Sequence, residues 1–149
     1  MTVLEALQRA PLFKDFAEAG LRTLAEIAVE RRLPAGSPLF LEDAPGESLF
    51  VVVSGTVRLT RGGPDGEREL ARVGPFEQLG DLGLLARTVR LVSAVAATDC
   101  TVLELSRRDF FRKAQERPLT CLKLAAVVAG ELARRAEQNR DALRELAGD

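Results

Sequence analysis

The run Gly80-Asp81-Leu82-Gly83-Leu84-Leu85, followed by Arg90, holds the densest chemistry in this sequence. A glycine lets backbone approach a bound group closely, and here an acidic side chain follows at once. The next residues read as a short apolar helical turn, whose first amides lack intrahelical acceptors and favour an anion. Arg90 then sets a guanidinium immediately before an apolar strand. A carboxylate suited to a ribose hydroxyl and a guanidinium suited to a phosphate together complement a nucleotide. Taken alone, such a pair is more commonly a turn aspartate and a solvated arginine.

Composition removes competing chemistries. The 149 residues contain no His, which excludes His general bases, Ser-His-Asp chemistry and His-ligated metals. Twenty-one Lys and Arg stand against 22 Asp and Glu, a net charge of -1, so the basic excess of a dedicated nucleic-acid binder is missing. Cys100 and Cys121 have no metal-site spacing and suit reduced thiols. The longest apolar runs fall far short of the ~20 residues that span a bilayer, and residues 1–12 lack the pattern of a signal peptide. The expectation is a single soluble, cytoplasmic domain over 1–149, with no metal, no required cofactor and no membrane contact.

The elements that must position those residues fall into three blocks. Residues 1–30 show apolar residues at helical spacing (Leu4, Leu7, Phe13, Phe16, Leu21, Leu24, Ile27, Ala28), with Pro11 and Gly20 predicted to break them into short helices. Residues 31–106 change to short apolar runs between turn signals, predicting strands at 39–41, 49–53, 57–61, 69–73, 92–96 and 101–105. Asp65-Gly66 is expected to supply positive φ angles to a hairpin. In residues 107–149, Ser106 is a predicted N-cap and Pro118 opens a helix running to Leu146. Its Leu122, Ala125, Ala129, Leu132, Ala136, Asn139, Leu143 and Leu146 step by three and four, as in a heptad seam whose Asn139 would fix register. The same spacing also serves a helix packed on its own core.

The middle block resembles the cyclic nucleotide-binding domain shared by catabolite activator proteins, protein kinase A regulatory subunits and cyclic-nucleotide-gated channels. Pro34-Ala35-Gly36-Ser37-Pro38-Leu39-Phe40 looks like that family's entry into its β-roll, and the run from Pro45 to Val57 looks like the following hairpin. Gly80-Asp81-Leu82-Gly83-Leu84 with Arg90 resembles its phosphate-binding cassette. The resemblance implies an α+β fold: short N-terminal helices, an antiparallel jelly-roll-like β-roll, a cassette helix and a long C-terminal helix. It also implies a ligand site of Gly80, Asp81, Leu82, Gly83, Leu84, Arg90, Leu91 and Val92. Arg90 would meet the cyclic phosphate, Asp81 the ribose 2′-hydroxyl, and the amides of Gly83, Leu84 and Val92 the phosphate oxygens. The last helix would cover the base.

Three positions depart from the family pattern. Asp81 is one methylene shorter than the family's Glu, Leu91 and Val92 replace smaller residues, and Asp43 occupies a turn position often given to Gly. The leading expectation is a non-enzymatic cyclic-nucleotide sensor, for cyclic AMP before cyclic GMP, acting by repositioning its last helix and pairing as a homodimer through it. The alternative is a β-roll that has lost its ligand and serves as a dimerisation or protein-interaction module. A DNA-binding role lacks a recognition element in this sequence, and Arg107, Arg108, Arg112, Lys113 and Arg117 are interleaved with acids, as on a solvated helix face.

Overall fold

A computed structural model describes residues 1–146, without the side chains of 142, 143 and 146. The chain begins with α1 (Val3–Arg9), a 3-10 turn (Pro11–Phe13) and α2 (Glu18–Ala25). Ten strands follow: β1 (Ala28–Leu33), β2 (Pro38–Phe40), β3 (Pro45–Gly46), β4 (Ser48–Ser54), β5 (Val57–Gly63), β6 (Gly66–Val73), β7 (Gln78–Leu79), β8 (Thr88–Val89), β9 (Ser93–Ala96) and β10 (Cys100–Ser106). The four-residue α3 (Leu82–Leu85) interrupts them, and α4 (Arg107–Glu116), α5 (Pro118–Gln138) and α6 (Arg140–Leu146) complete the described chain. All strand pairings are antiparallel. They form two four-stranded sheets, ordered β1-β10-β4-β7 and β2-β9-β5-β6, with a small β3-β8 pair beside them. This is the expected α+β β-roll.

Strand period divides the core into two. Successive side chains point to opposite faces of a strand, so Leu49 and Val51 of β4 join Leu103 and Leu105 of β10 against the helices. Their neighbours Phe50, Val52, Cys100 and Val102 fill the interior of the roll with Leu33, Leu39, Val57 and Leu79. The first sheet is thus buried on both faces, which explains why Leu49-Phe50-Val51-Val52 is an unbroken apolar run. On the helix side, Leu7, Phe13, Leu24, Phe110, Cys121, Leu124 and Val128 close the larger cluster. Both cysteines are buried free thiols. No described helix is long and apolar enough to cross a membrane.

Five expectations need correction. Ala28 opens β1 and does not continue a helix: residues 28–33 pair in full register with β10, Ala28 opposite Leu105 and Leu33 opposite Cys100. The charges of Glu30, Arg31 and Arg32 that hide the strand pattern suit an edge strand. Gly20 lies inside α2, so the helix breaks at Pro11 but not there. In the β5–β6 hairpin only Gly66 takes a positive φ, at 102°, and Asp65 does not.

The last two corrections concern α5. The long helix ends at Asn139, whose side-chain amide donates to the Arg135 carbonyl at 2.8 Å, closing the final turn of α5 before α6 starts. The predicted seam is also split. Leu132 and Ala125 pack toward the chain's own core, while Leu122, Ala129 and Ala136 are exposed. The predicted seam members Leu143 and Leu146 lie outside the described side chains.

The helix signals at Ser106 and Pro118 stand as read. Ser106 Oγ accepts from the Asp109 amide at 3.1 Å, and Pro118 is the first residue of α5.

Candidate functional site

Arg90 is fixed by its backbone before its side chain does anything. Its amide donates to the Ala44 carbonyl and its carbonyl accepts from the Asp43 amide, both at 2.8 Å. Asp43 takes φ 68° to make that turn, a conformation aspartate tolerates better than most residues. The β3–β8 pair, with Pro45 opposite Val89, holds the other side.

From that anchor the Arg90 side chain runs inward and is buried. Its Nη2 donates to the Ser48 carbonyl at 2.9 Å and its Nη1 to the Gly80 carbonyl at 3.3 Å. The guanidinium carbon sits 4.2 Å from the centre of the Phe40 ring and 5.7 Å from that of Phe50, both within cation–π range. Nε has no hydrogen-bond partner. Burial pushes the guanidinium below its ordinary pKa, and Glu104 opposes that shift.

Three glycines make the space. A Cβ on Gly46 would lie 3.0 Å from Arg90 Nε, one on Gly83 3.0 Å from the Gly46 backbone and 3.2 Å from Nη1. One on Gly80 would lie 2.6 Å from Nη1, and Gly80 also has φ 76°. The glycines of the cassette thus admit the arginine itself. The amides of Gly83 and Leu84 donate to the Gly80 and Asp81 carbonyls, at 3.0 and 3.1 Å. Those two donors, expected to be open to an anion, are committed to the α3 turn.

Asp81 precedes α3, and its side chain is 1% exposed. Oδ2 accepts from Arg135 Nη2 of α5 at 3.2 Å, and Oδ1 is buried without a partner. A buried carboxylate oxygen without a donor is costly, and such groups are kept where something else supplies the donor.

A cavity of about 340 Å³ lies between these residues and α5. That volume is within the range of small-ligand pockets, roughly 300–1,000 Å³. Seven of the eight predicted site residues line it: Gly80, Asp81, Leu82, Gly83, Arg90, Leu91 and Val92. Leu84 does not, because its side chain is fully buried in the helix-side core behind them. Phe40 and Leu59 form the floor from the roll, and Leu132 and Arg135 come from α5. Leu91 is 77% exposed and leaves the cavity open.

Sequence reasoning missed Phe40, Phe50, Gly46, the Ser48 carbonyl and Arg135. All are more than 30 residues from the group they serve, and no local pattern marks them.

With this geometry in place, known proteins supply the frame. The family profile of the cyclic nucleotide-binding domain matches residues 30–117. The chain belongs to the cyclic nucleotide-binding domain family. It is 36% identical over 127 residues to the cyclic AMP receptor protein of Thermus thermophilus, covering 85% of this chain and 59% of that protein. Among solved structures, the N-terminal domain of a transcriptional regulator from Streptomyces coelicolor superposes with a TM-score of 0.77 at 34% identity, over 93% of this chain and 94% of that one. The regulatory domain of Toxoplasma gondii protein kinase A, crystallised with cyclic AMP, gives 0.66 at 28% identity over 74% and 42%. The chain spans under two thirds of the length of the curated receptor it matches. As a cyclic nucleotide-binding domain, it belongs to a family of ligand-binding regulatory modules, and the cassette lies inside the matched segment.

Proposed function

We propose that this domain is a non-enzymatic sensor of a 3′,5′-cyclic nucleotide, cyclic AMP before cyclic GMP, read out through α5. The observation that carries the proposal is a pair of buried groups of opposite charge on one cavity. Arg90 and Asp81 each keep a polar atom without a partner, Nε and Oδ1. Arg90 meets the cyclic phosphate as a guanidinium already desolvated and oriented, so little ordering is left for binding to do. Asp81 serves the ribose. Leu132 places α5 against the ligand, and occupancy shifts α5 by the difference in affinity between its two positions. Cyclic AMP is favoured because the Thermus thermophilus relative is a cyclic AMP receptor and the Toxoplasma gondii domain was crystallised with cyclic AMP.

Thermal unfolding tests this. Nucleotide at about a hundred times its dissociation constant stabilises the fold by ~2.7 kcal/mol, which raises Tm by roughly 5–10 °C at this size. Arg90→Ala removes that shift. Wild-type melting that is flat in millimolar cyclic AMP and cyclic GMP contradicts the sensor.

A second reading concerns assembly and rests on α5. Leu119 and Leu122 are 80% and 65% exposed, and Ala126, Ala129, Ala133 and Ala136 continue the same exposed stripe. The steps alternate three and four, one helical seam away from the buried Cys121, Leu124 and Val128. This stripe is the surface through which the domain pairs as a homodimer.

A further inference from the structure

We propose that Arg135 is a built-in competitor for the ribose site: in the nucleotide-free chain it supplies Asp81 with the hydrogen-bond donor that a ribose 2′-hydroxyl would otherwise bring. The inference rests on the sensor reading and names the residue that sets its affinity and its readout.

Asp81 is sealed. Its side chain is 1% exposed, Oδ1 is buried with no partner, and Oδ2 is taken by Arg135 at 3.2 Å. A ligand hydroxyl therefore reaches this carboxylate only after something moves. Arg135 is the group placed to do so, since its side chain is 44% exposed and long, whereas the cassette around Asp81 is held by backbone hydrogen bonds and by the Arg90 fork. Its charge-assisted bond to Asp81 is the interaction a neutral hydroxyl must replace.

The same contact holds α5. The last fully buried residue of that helix is Val128. Beyond it, among the described residues, Arg135–Asp81 is the only side-chain hydrogen bond from α5 to the roll. The other flank of the distal helix overlies a groove of about 680 Å³ lined by Pro11, Phe76, Val127, Glu131, Arg134 and Arg135. Displacing Arg135 thus removes the polar tie on a segment with open space beside it. Ribose recognition and helix release become one exchange at one carboxylate.

The test is a calorimetric titration of the full chain with cyclic AMP and with 2′-deoxy cyclic AMP, for the wild type, Arg135→Met and Arg135→Gln. Removing the competitor tightens cyclic AMP binding about tenfold in both variants. Affinity for the 2′-deoxy nucleotide stays within about twofold, because that ligand never needed Asp81. Discrimination between the two nucleotides therefore widens when Arg135 is lost, an effect that general loosening of the fold does not produce. Hydrogen exchange of residues 129–138 in ligand-free Arg135→Met is expected to match that of nucleotide-bound wild type. Unchanged or weaker cyclic AMP binding in the variants, with wild-type binding intact, overturns the competitor and leaves the sensor standing. A wild type that binds neither nucleotide overturns both.

Discussion

Arg90 is defined by what surrounds it more than by its own charge. Two backbone carbonyls, two aromatic rings and three glycines fit a planar fork and leave only Nε without a partner. A lysine offers one point charge and cannot donate to the Ser48 and Gly80 carbonyls in that geometry. Arg90→Lys is therefore expected to lose at least tenfold in nucleotide affinity although it keeps the charge. Gly80→Ala should be worse for the fold than for charge: the new Cβ meets Arg90 Nη1 and the Ser48 carbonyl at 2.6 and 2.9 Å on a φ that alanine disfavours. Chemical denaturation should show a loss of roughly 1–3 kcal/mol. At this scale the sequence is legible where partners are near in the chain. Asp81 and Arg90 stand nine residues apart, with Gly80 just before Asp81 and Gly83 between the two, so their types and spacing suffice. Phe40, Ser48 and Arg135 reach the same place from other elements, and nothing local in the chain points to them.

Elements were readable where periodicity and punctuation agree. The β4 and β10 strands, the Ser106 cap and the Pro118 start are of that kind. The β1 strand was not, because its charged residues mask the alternation and only pairing with β10 decides its state. The face of α5 was a subtler case: two interleaved stripes step by three and four, and only burial shows that Cys121, Leu124 and Val128 face inward. Substitution separates their roles. Leu124→Ala, at a fully buried site, should cost about 2–5 kcal/mol of stability. Leu122→Asp with Leu119→Asp should leave stability nearly unchanged and give monomers in sedimentation, whereas dimers that persist would place the seam elsewhere. The α4 helix is clasped to the end of α2 by Lys113, which donates to Glu26 at 2.7 Å and to Glu116 at 3.0 Å. The bond to Lys113 holds the Glu26 carboxyl below its usual range. The clasp thus contributes above the ordinary carboxylate pKa and is lost as pH falls through the depressed value. Glu26→Gln should flatten this acid-side part of the stability profile, a small effect that salt screens.

In the whole molecule, one doubly buried sheet separates a helical core from the interior of the roll. The cavity opens where β-roll, cassette and α5 converge, so a ligand there touches a strand floor and a helix wall at once. On the proposed sensor reading, that placement would let binding be felt outside the site. It follows from tertiary topology, which the sequence conveys through family resemblance far better than through its local patterns. On the sensor reading, this cavity holds a cyclic nucleotide through Arg90. Isothermal calorimetry of the purified chain against cyclic AMP tests it most directly. The expected result is saturable binding of one nucleotide per chain that disappears in Arg90→Ala. Equal binding by wild type and Arg90→Ala, or no heat from either cyclic AMP or cyclic GMP with the wild type, would contradict it.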